Sequence, residues 1–560
     1  MPSRLARLIS VAKGELPADL ILSNAKVVNV FTGRIESGNV AICGDRIAGI
    51  GDYTEAKEAL DLKGRYIAPG LINGHIHPES SMLEIGQYAR AVVPHGTTAL
   101  VTDFHEIANV GGIEGIRYVL DCARLLPFEL FLMAPSCVPS TRLETSGASL
   151  GPKEVRQILK WKECIGLGEV MNFRGVIGGD KGILKKIVSA RGKTIDGHAP
   201  SLSGRDLSAY IAAGIYSDHE SLSFAEAQEK LRQGMFIMLR EGSSEKNLEA
   251  LLPLVTDKSY QRCLLVVDDR SCTDLLKDGD IDGVVRRAIS LGLDPVRAIQ
   301  LATINPAEYF RREGLGAVAP GYIANLIVLG DLARFQIDMV FYHGKLVAEE
   351  GKPLFPTPQA SGGGLTNTVN MKPFPIEELK LPPSGETEAV IEVVPGQIIT
   401  RKRMEKVKVS GGEVVPDLER DILKLVVVER HQASGNIGLG LVAGLGLKRG
   451  ALASSIAHDS HNIIAAGTND RDIFTAIKEI ERLQGGLVAA GGKVLASLAL
   501  PIAGILSDEP LETVVSKLEK LEKTAAELGT KLASPFATLS FLALPVIPEI
   551  RLTDLGIVEV

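Results

Sequence analysis

The chain has 560 residues, 45% of them apolar and 23% charged, a composition that excludes an intrinsically disordered protein. Its length also excludes a single hydrophobic core and predicts three or four domains at about 150 residues each. Because 61 Lys and Arg are balanced by 68 Asp and Glu, the net charge is only -7, and we expect no nucleic-acid partner.

The apolar stretches and the cysteines predict a cytoplasmic protein. The stretch 495–506 is interrupted by Pro501 and Gly504 and is shorter than the ~20 residues that span a bilayer, so we expect no membrane helix. The N-terminal segment mixes basic and apolar residues and lacks the apolar centre of a secretory signal. The six cysteines show no CxxC spacing, which is typical of reduced thiols.

Two β-rich segments flank the centre of the chain. Short β-branched runs separated by Gly and Asn extend from Asp19 to Gly51, and the same pattern returns at residues 322–348. We predict that residues 1–69 and 306–350 form one small composite β-sandwich domain. The alternative is two unrelated β segments.

Eight short apolar runs, each ending in polar residues, lie between these flanks and alternate with helical stretches. This α/β pattern over residues 70–305 predicts a (β/α)8 TIM barrel, a fold of roughly 250 residues. Active sites in that fold lie at the carboxyl ends of the strands, where these runs become polar. A doubly wound sheet is the alternative, but the early Gly-rich phosphate turn expected of it is absent.

The C-terminal part of the chain is predicted to contain a linker and a further domain. Residues 351–385 are rich in Pro and Gly, as is typical of an extended connection. Residues 386–560 mix apolar strands with amphipathic helices such as 471–484. We therefore predict a C-terminal α+β domain.

Three predicted barrel strands end in histidine, although the chain has only ten histidines. His75 and His77 are two residues apart, so a strand presents both imidazoles on one side. Acidic residues end two further strands, and imidazole with carboxylate ligands binds Zn, Mn or Fe. An ordinary core or surface role is the alternative for any one histidine, but the clustering at strand ends disfavours it. The candidate ligands are His75, His77, Glu169, His198, His219 and one of Asp268 and Asp269.

Such a site indicates hydrolytic chemistry. A divalent ion makes bound water nucleophilic near neutral pH, and a neighbouring carboxylate such as Asp268 can move the proton. Competing motifs are incomplete. The segment HEIAN at His105 lacks the second histidine of HExxH, and the HxE at His77 has no PCxxC of a cytidine-deaminase site after it.

The sequence resembles the adenine deaminase family of the amidohydrolase superfamily over nearly its whole length. The resemblance lies in the series HxH, Glu, His, His, Asp and in PGLINGHIHPESSML, PHGTTALVTDFHEIANV, FRGVI, DGHAPSLSG, VVDDR, AHDSHNIIAAG and LPIAGILS. It implies a metal-dependent barrel in which His75 and His77 bind one ion and His198 and His219 bind a second. Glu169 stands where many superfamily members carry a carboxylated lysine, and the resemblance implies that it bridges the two ions.

The resemblance also implies the acid–base and substrate-binding residues. Asp268 is implied as both metal ligand and proton shuttle, and its neighbour Asp269 stays open as the alternative. If Asp268 has these roles, Asp269 is expected to bind the substrate. Asp103, His105 and Glu106 follow the second strand. For them it implies active-site roles, catalytic for Glu106 and substrate-binding for the other two. A loop salt bridge or a helix start is the alternative.

A polar segment of the C-terminal domain, AHDSHN at residues 457–462, lies between apolar runs. Burying such groups without partners is costly, so we expect them to serve a purpose. We predict that His458 and His461 close over the substrate. A purely structural turn is the alternative.

The function that the resemblance implies is the hydrolysis of adenine to hypoxanthine and ammonia, in purine salvage or catabolism. It implies two divalent ions per chain, Mn²⁺ or Fe²⁺ before Zn²⁺, and a homo-oligomer, either dimer or tetramer. One alternative is a cyclic amide hydrolase of the hydantoinase or dihydroorotase kind. An alternative from another class is a catalytically inactive barrel scaffold, which the complete set of candidate ligands disfavours.

Overall fold

The computed structural model describes residues 2–358, 362–395 and 397–560. Residues 359–361 of the predicted linker, residue 1 of the predicted β domain and residue 396 of the predicted C-terminal domain lie outside the described residues. One helix and five strands precede the barrel: α1 (Pro2–Ala12), β1 (Ala18–Asn29), β2 (Arg34–Cys43), β3 (Arg46–Gly51), β4 (Ala56–Asp61) and β5 (Tyr66–Pro69).

The barrel is built from ten strand segments that count as eight strands, because the first and last strands are each interrupted once. The segments are β6 (Leu71–Asn73), β7 (Ile76–His77), β8 (Thr97–Thr102), β9 (Glu129–Pro135), β10 (Cys164–Val170), β11 (Thr194–Gly197), β12 (Ser217–Asp218), β13 (Phe236–Arg240), β14 (Cys263–Val266) and β15 (Asp268–Asp269). Parallel ladders join β6, β8, β9, β10 and β11, and likewise β12, β13 and β14.

Two contacts complete the ring of strands. The last segment β15 pairs in parallel with β7, so the final strand lies beside the first. Strands β11 and β12 adjoin where the Gly197 N–H donates to the Ser217 hydroxyl at 3.0 Å. The predicted barrel is therefore confirmed.

Twelve helices follow or separate the barrel strands. They are α2 (Ile85–Val92), α3 (His105–Ala123), α4 (Pro152–Ile158), α5 (Phe173–Ile177), α6 (Lys181–Ser189), α7 (Gly204–Ala212), α8 (Phe224–Arg232), α9 (Leu248–Leu251), α10 (Cys272–Asp278), α11 (Ile281–Ser290), α12 (Pro295–Leu301) and α13 (Ile304–Tyr309). Inside the barrel, strand residues such as Val101 and Met133 pack with Tyr309 and Phe310. Asp103 is two residues beyond Val101, so the polar strand end follows an apolar interior on the same side.

The strands of both flanks form one sheet. The second flank supplies β16 (Leu326–Asp331), β17 (Gln336–Tyr342), β18 (Lys345–Glu349) and β19 (Lys352–Pro353). Strand β16 pairs antiparallel with β5, which joins the two flanks in a nine-stranded sheet. The predicted composite β domain is thus formed by one continuous sheet, and β19 falls within the predicted linker. The residue limits assigned to the domains stay predictions.

The C-terminal domain has a sheet of eight strands covered on both faces. Its elements are β20 (Thr387–Val393), β21 (Thr400–Lys406), β22 (Lys408–Ser410), β23 (Glu413–Val415), β24 (Ile422–Val428), β25 (Ile437–Ala443), β26 (Ala451–Ser454), β27 (Ile463–Gly467), α14 (Asp470–Leu483), β28 (Gly486–Ala490), β29 (Val494–Ala499), α15 (Leu511–Leu528), α16 (Pro535–Phe541), β30 (Ile550–Thr553) and β31 (Gly556–Glu559). The sheet order is β21-β20-β25-β24-β27-β26-β28-β29.

Alternate residues of the central strand β24 pack against different helices. Val426 and Val428 share a cluster with Ile473 of α14. Leu425 belongs to the larger cluster that includes Leu518 of α15 and that continues into the barrel. Helices α15 and α16 therefore lie on the face of the sheet that turns toward the barrel. Among the described helices, none is both long enough and apolar enough to cross a bilayer.

Candidate active site

The six predicted metal ligands converge at the carboxyl ends of the barrel strands. His77 ends β7, Asp268 begins β15 and Glu169 lies near the end of β10, while the other three directly precede or follow a strand segment. Each is at most 5% exposed, which is unusual for ionisable groups unless they are paired or bind a metal. The six residues are His75, His77, Glu169, His198, His219 and Asp268.

The carboxylate of Glu169 lies between two pairs of histidines. Its Oε1 is 3.7 Å from His75 Nε2 and 3.3 Å from His77 Nε2. Its Oε2 is 2.7 Å from His198 Nδ1 and 3.3 Å from His219 Nε2. One oxygen for each pair is the arrangement of a carboxylate that can bridge two ions.

Asp268, and not its neighbour Asp269, contacts the first histidine pair. Asp268 Oδ1 lies 3.6 Å from His75 Nε2 and 3.4 Å from His77 Nε2, and its other oxygen accepts a hydrogen bond from Arg240 at 2.5 Å. Asp269 instead accepts a hydrogen bond from the Ser80 hydroxyl. Of the two aspartates that the sequence left open, Asp268 therefore has the geometry of a ligand.

The donor set fits a divalent metal ion. His75 Nε2 and His198 Nε2 are buried and have no hydrogen-bond partner among the described residues. Burial alone lowers the pKa of His75, but Asp196, Asp268 and the Glu169 charge raise it to about 10. The negative field that stabilises a proton there also favours a metal cation. The fold brings the donor atoms together in compact groups of three. One such group is His75, His219 and Asp268, and another is Glu169, His198 and His219.

Asp103 and His105 lie behind the first histidine pair and contact each other. His105 Nδ1 is 2.9 Å from Asp103 Oδ1, which is also 3.5 Å from His77 Nδ1. The second Asp103 oxygen accepts a hydrogen bond from the Glu169 backbone N–H at 2.9 Å. Asp103 thus contacts both a candidate ligand and the strand that carries another, and metal-binding histidines commonly have such a partner.

Glu106 joins the barrel to the C-terminal domain. His458 Nδ1 lies 2.8 Å from Glu106 Oε1, and His461 Nε2 contacts the other oxygen. Burial alone raises the pKa of Glu106, but His458, His461 and His105 hold it well below its usual range. The C-terminal segment 457–462 therefore reaches into the barrel mouth and surrounds an ionised carboxylate.

Known proteins match this chain along its whole length. Residues 66–347 match the amidohydrolase family, and residues 397–560 match the adenine deaminase C-terminal domain. An adenine deaminase of Dehalococcoides mccartyi is 60% identical over 100% of this chain and 98% of its own length. Adenine deaminase 2 of Carboxydothermus hydrogenoformans is 50% identical over 99% of this chain and 97% of its own.

The chain belongs to the adenine deaminase family of amidohydrolases. It is accordingly a hydrolytic enzyme of a metal-dependent family, and the resemblance found in its motifs is confirmed. An adenine deaminase of Methanothrix thermoacetophila is also 46% identical over 100% of this chain and 98% of its own length. Among solved structures, a β-aspartyl dipeptidase of Fervidobacterium islandicum AW-1 matches 61% of this chain and 99% of its own at a TM-score of 0.46 and 16% identity.

Several residues of this family member's site were not found from the sequence. Arg240 is buried, and it donates to Asp268 and to both oxygens of Glu220. Glu220 also lies 3.4 Å from His219 Nε2. Asp196 Oδ2 is 3.3 Å from the far nitrogen of His75. Arg240 ends an apolar strand and Glu220 directly follows a ligand, so the strand-end rule could have identified both.

The cavity over these ligands is shared between the two domains. Most of its charged lining comes from the barrel. The C-terminal domain adds His458, Asp459 and the apolar side chains of Ile398, Phe541, Leu544 and Ile547. A second cavity adjoins it and shares Glu106, Asp269, His458 and Phe541. The candidate ligands thus lie between the two domains.

Proposed function

We propose that this protein hydrolyses adenine to hypoxanthine and ammonia in the barrel cavity. The observation that carries the proposal is the Glu169 carboxylate between two histidine pairs with Asp268 beside them. Relatives named adenine deaminase, 46–60% identical over essentially the whole chain, support adenine as the substrate.

Two divalent ions would complete this site. His75 and His77 would hold one, His198 and His219 the other, and Glu169 would bridge them. Mn²⁺ or Fe²⁺ suits this mixture of imidazole and carboxylate, and Zn²⁺ is also compatible. When bound, such ions lower the pKa of coordinated water and polarise the reacting group.

We assign the proton transfer to Asp268. Water adds to C6 of adenine while Asp268 takes a proton from it, and the proton passes to the departing amino group as the C6–N6 bond breaks. The new C6–O bond gives hypoxanthine, and the nitrogen leaves as ammonia. Arg240 orients Asp268 through one oxygen, and the other oxygen, which faces the histidines, would both bind a metal ion and move the proton.

The remaining polar groups would bind the purine. We assign Glu106 the contact with a ring nitrogen, since His458 and His461 fix its two oxygens. Asp269 lines the same cavity and completes the polar wall. His105 and Asp103 would act mainly through their contacts with each other and with His77.

Two rival functions are less well supported. A cyclic amide hydrolase would share the ligand series, but the match to the adenine deaminase C-terminal domain favours deamination. An inactive scaffold has no need for six buried ligands. A homo-oligomer, dimer or tetramer, and a cytoplasmic location stay predictions.

An absorbance assay tests the proposal directly. The purified protein, reconstituted with Mn²⁺ or Fe²⁺, should convert adenine to hypoxanthine with one ammonia released per adenine consumed. Adenosine should react far more slowly, because losing one purine hydrogen bond can cost ~10⁴-fold. No adenine turnover, together with hydrolysis of dihydroorotate or hydantoin, would establish the rival function instead.

A further inference from the structure

Four apolar side chains of the C-terminal domain form a roof over the candidate metal ligands. The roof consists of Ile398, Phe541, Leu544 and Ile547, all of which line the same cavity as the ligands. Leu544 and Ile547 are each 4% exposed, and the Phe541 ring stacks on His458 at 4.6 Å between centroids. None of the four is implied by the chemistry at the barrel strand ends.

One buried arginine binds the backbone of this roof at several points. Arg551 of β30 is fully buried and donates to the carbonyls of Ile398 at 2.6 Å, Ile547 at 2.9 Å and Phe541 at 3.1 Å. It also donates to the carbonyl of Pro548 at 2.9 Å. Among the described residues it forms no ion pair, and burial lowers the pKa of Arg551 to about 9.

Burying a guanidinium without a carboxylate partner costs free energy. The hydrogen bonds that Arg551 donates to carbonyls offset this cost. Three of its four acceptors belong to roof residues, and one of these, Ile398, is far from the other two in the sequence. Arg551 therefore fixes the spacing between the segment at residue 398 and the segment at residues 541–548, together with the hydrogen bond that the Thr400 N–H donates to the Pro548 carbonyl at 3.1 Å. That spacing sets the height of the roof above the ligands.

We propose that this roof is the selectivity element for the N9 side of the purine, with Arg551 as its positioning residue. The inference rests on the proposed function, which puts C6 at the metal ligands. In a purine, N9 lies across the fused rings from C6. The edge that carries N9 is then the edge that meets the roof, and a substituent on N9 collides with Leu544 or Ile547.

Leu544→Ala and Ile547→Ala test the roof. For each variant, kcat/KM is measured with adenine and with 9-methyladenine, and the ratio of the two values is compared with that of wild type. The hydrogen bond lost by methylating N9 is lost in every variant, so it cancels from this comparison. One methylene in an apolar pocket changes discrimination by about 10- to 200-fold, and we expect the relative rate on 9-methyladenine to rise at least tenfold.

Leu555→Ala is the matched control, because Leu555 belongs to the same C-terminal segment but is 57% exposed. Its substrate ratio should equal that of wild type. Metal content, measured by mass spectrometry, should be unchanged in all three variants. An unchanged ratio in both roof variants, including a parallel loss of activity on both substrates, overturns the proposal.

Arg551→Lys tests the positioning role. A lysine keeps the charge but cannot reach four carbonyls in the fork geometry of a guanidinium. We expect the substrate ratio to shift in the same direction as in Leu544→Ala, with KM for adenine raised more than kcat is lowered. A lower kcat with an unchanged ratio contradicts the role. If Arg551→Lys does not fold, the two roof variants still decide the selectivity proposal.

The outcomes separate this inference from the function on which it rests. Wild type without activity on adenine rejects the proposed function. Wild type that is active on adenine, with roof variants that keep its substrate ratio, rejects only the role of the roof.

Discussion

The barrel and the C-terminal domain line the same cavity with different kinds of side chains. The barrel wall is charged, with Glu169 and Asp268 among the histidines. The opposite wall is mainly apolar, with Leu544 and Ile547 beside the two polar residues His458 and Asp459. In the proposed function the charged wall would react with the substrate, and the apolar wall would exclude water and set the available space.

The two walls are also held in place differently. On the barrel side, backbone ladders fix the strand ends, as where Asp269 pairs with His77. On the C-terminal side, buried arginines bind carbonyls of the segments that face the barrel. Arg551 does so for the roof, and Arg430 does so for His461 and for Ala503. Segments far apart in sequence are thereby joined by side chains, in addition to backbone hydrogen bonds such as that from Thr400 to Pro548.

Removing a histidine from the charged wall should have the largest effect. His75→Ala or His219→Ala should lower metal content and reduce kcat/KM for adenine by at least the ~10²- to 10⁴-fold that an acid–base group contributes. The far-ultraviolet circular dichroism should not change, because residues of the barrel mouth are not its core. His343→Ala, a histidine of the β domain, is the control. Near-normal activity in either site variant would contradict the assignment.

Asp268→Asn should be the next most damaging change. It removes the proton shuttle and should lower kcat by about 10²- to 10⁴-fold while most of the metal is retained. Asp269→Asn is the matched control one residue away, and because Asp269 bonds to Ser80 we expect a smaller loss. If Asp269→Asn proved the more harmful of the two, the proposed role of Asp268 would be wrong.

A change on the C-terminal wall should act more weakly. His458→Ala leaves Glu106 with one histidine partner fewer and should lower kcat/KM for adenine by about 10- to 100-fold, as for other partners of reacting groups. Two equivalents of metal should remain bound, because His458 contacts no proposed ligand. Metal loss equal to that of His75→Ala would show that the C-terminal wall also helps to hold the metal ions.

The charged wall could be predicted from sequence because it follows a local rule. His75, Glu169 and Asp268 each come at a strand end, and parallel strands of a barrel bring such residues together. The choice between Asp268 and Asp269 could not be made in this way. Asp268 has a left-handed backbone with φ 70°, so the simple alternation of a strand fails there.

The apolar wall follows no such rule. Leu544 and Ile547 look like any core residue, and Ile398 lies almost 150 residues before them. Their common role arises only when the C-terminal domain folds onto the barrel. The segment with His458 was identified because its polarity between apolar runs is unusual, whereas the hydrogen bonds of Arg551 to carbonyls leave no pattern in the sequence.

The smallest predicted effect concerns the seam between the two domains, where α15 packs on α10. Burial there, with Asp274 of α10 and Glu519 nearby, raises the pKa of Glu522 to about 7. Between pH 4.5 and 7 the unfolded chain ionises at this position while the folded protein keeps its proton, so the stability contributed by the protonated group is lost as pH rises and is absent above pH 7. Glu522→Gln removes this pH-dependent loss of stability.

We expect the Tm of the variant to exceed that of wild type by about 1 to 2 °C at pH 8 and to equal it at pH 4.5. The shift is small because Glu522 is only half-buried. Calorimetric scans at both pH values measure the difference, with Glu527→Gln on the exposed side of the same helix as control. An equal shift at both pH values, or the same shift in the control, would mean that the seam does not perturb this carboxyl and that the two domains meet without an electrostatic cost.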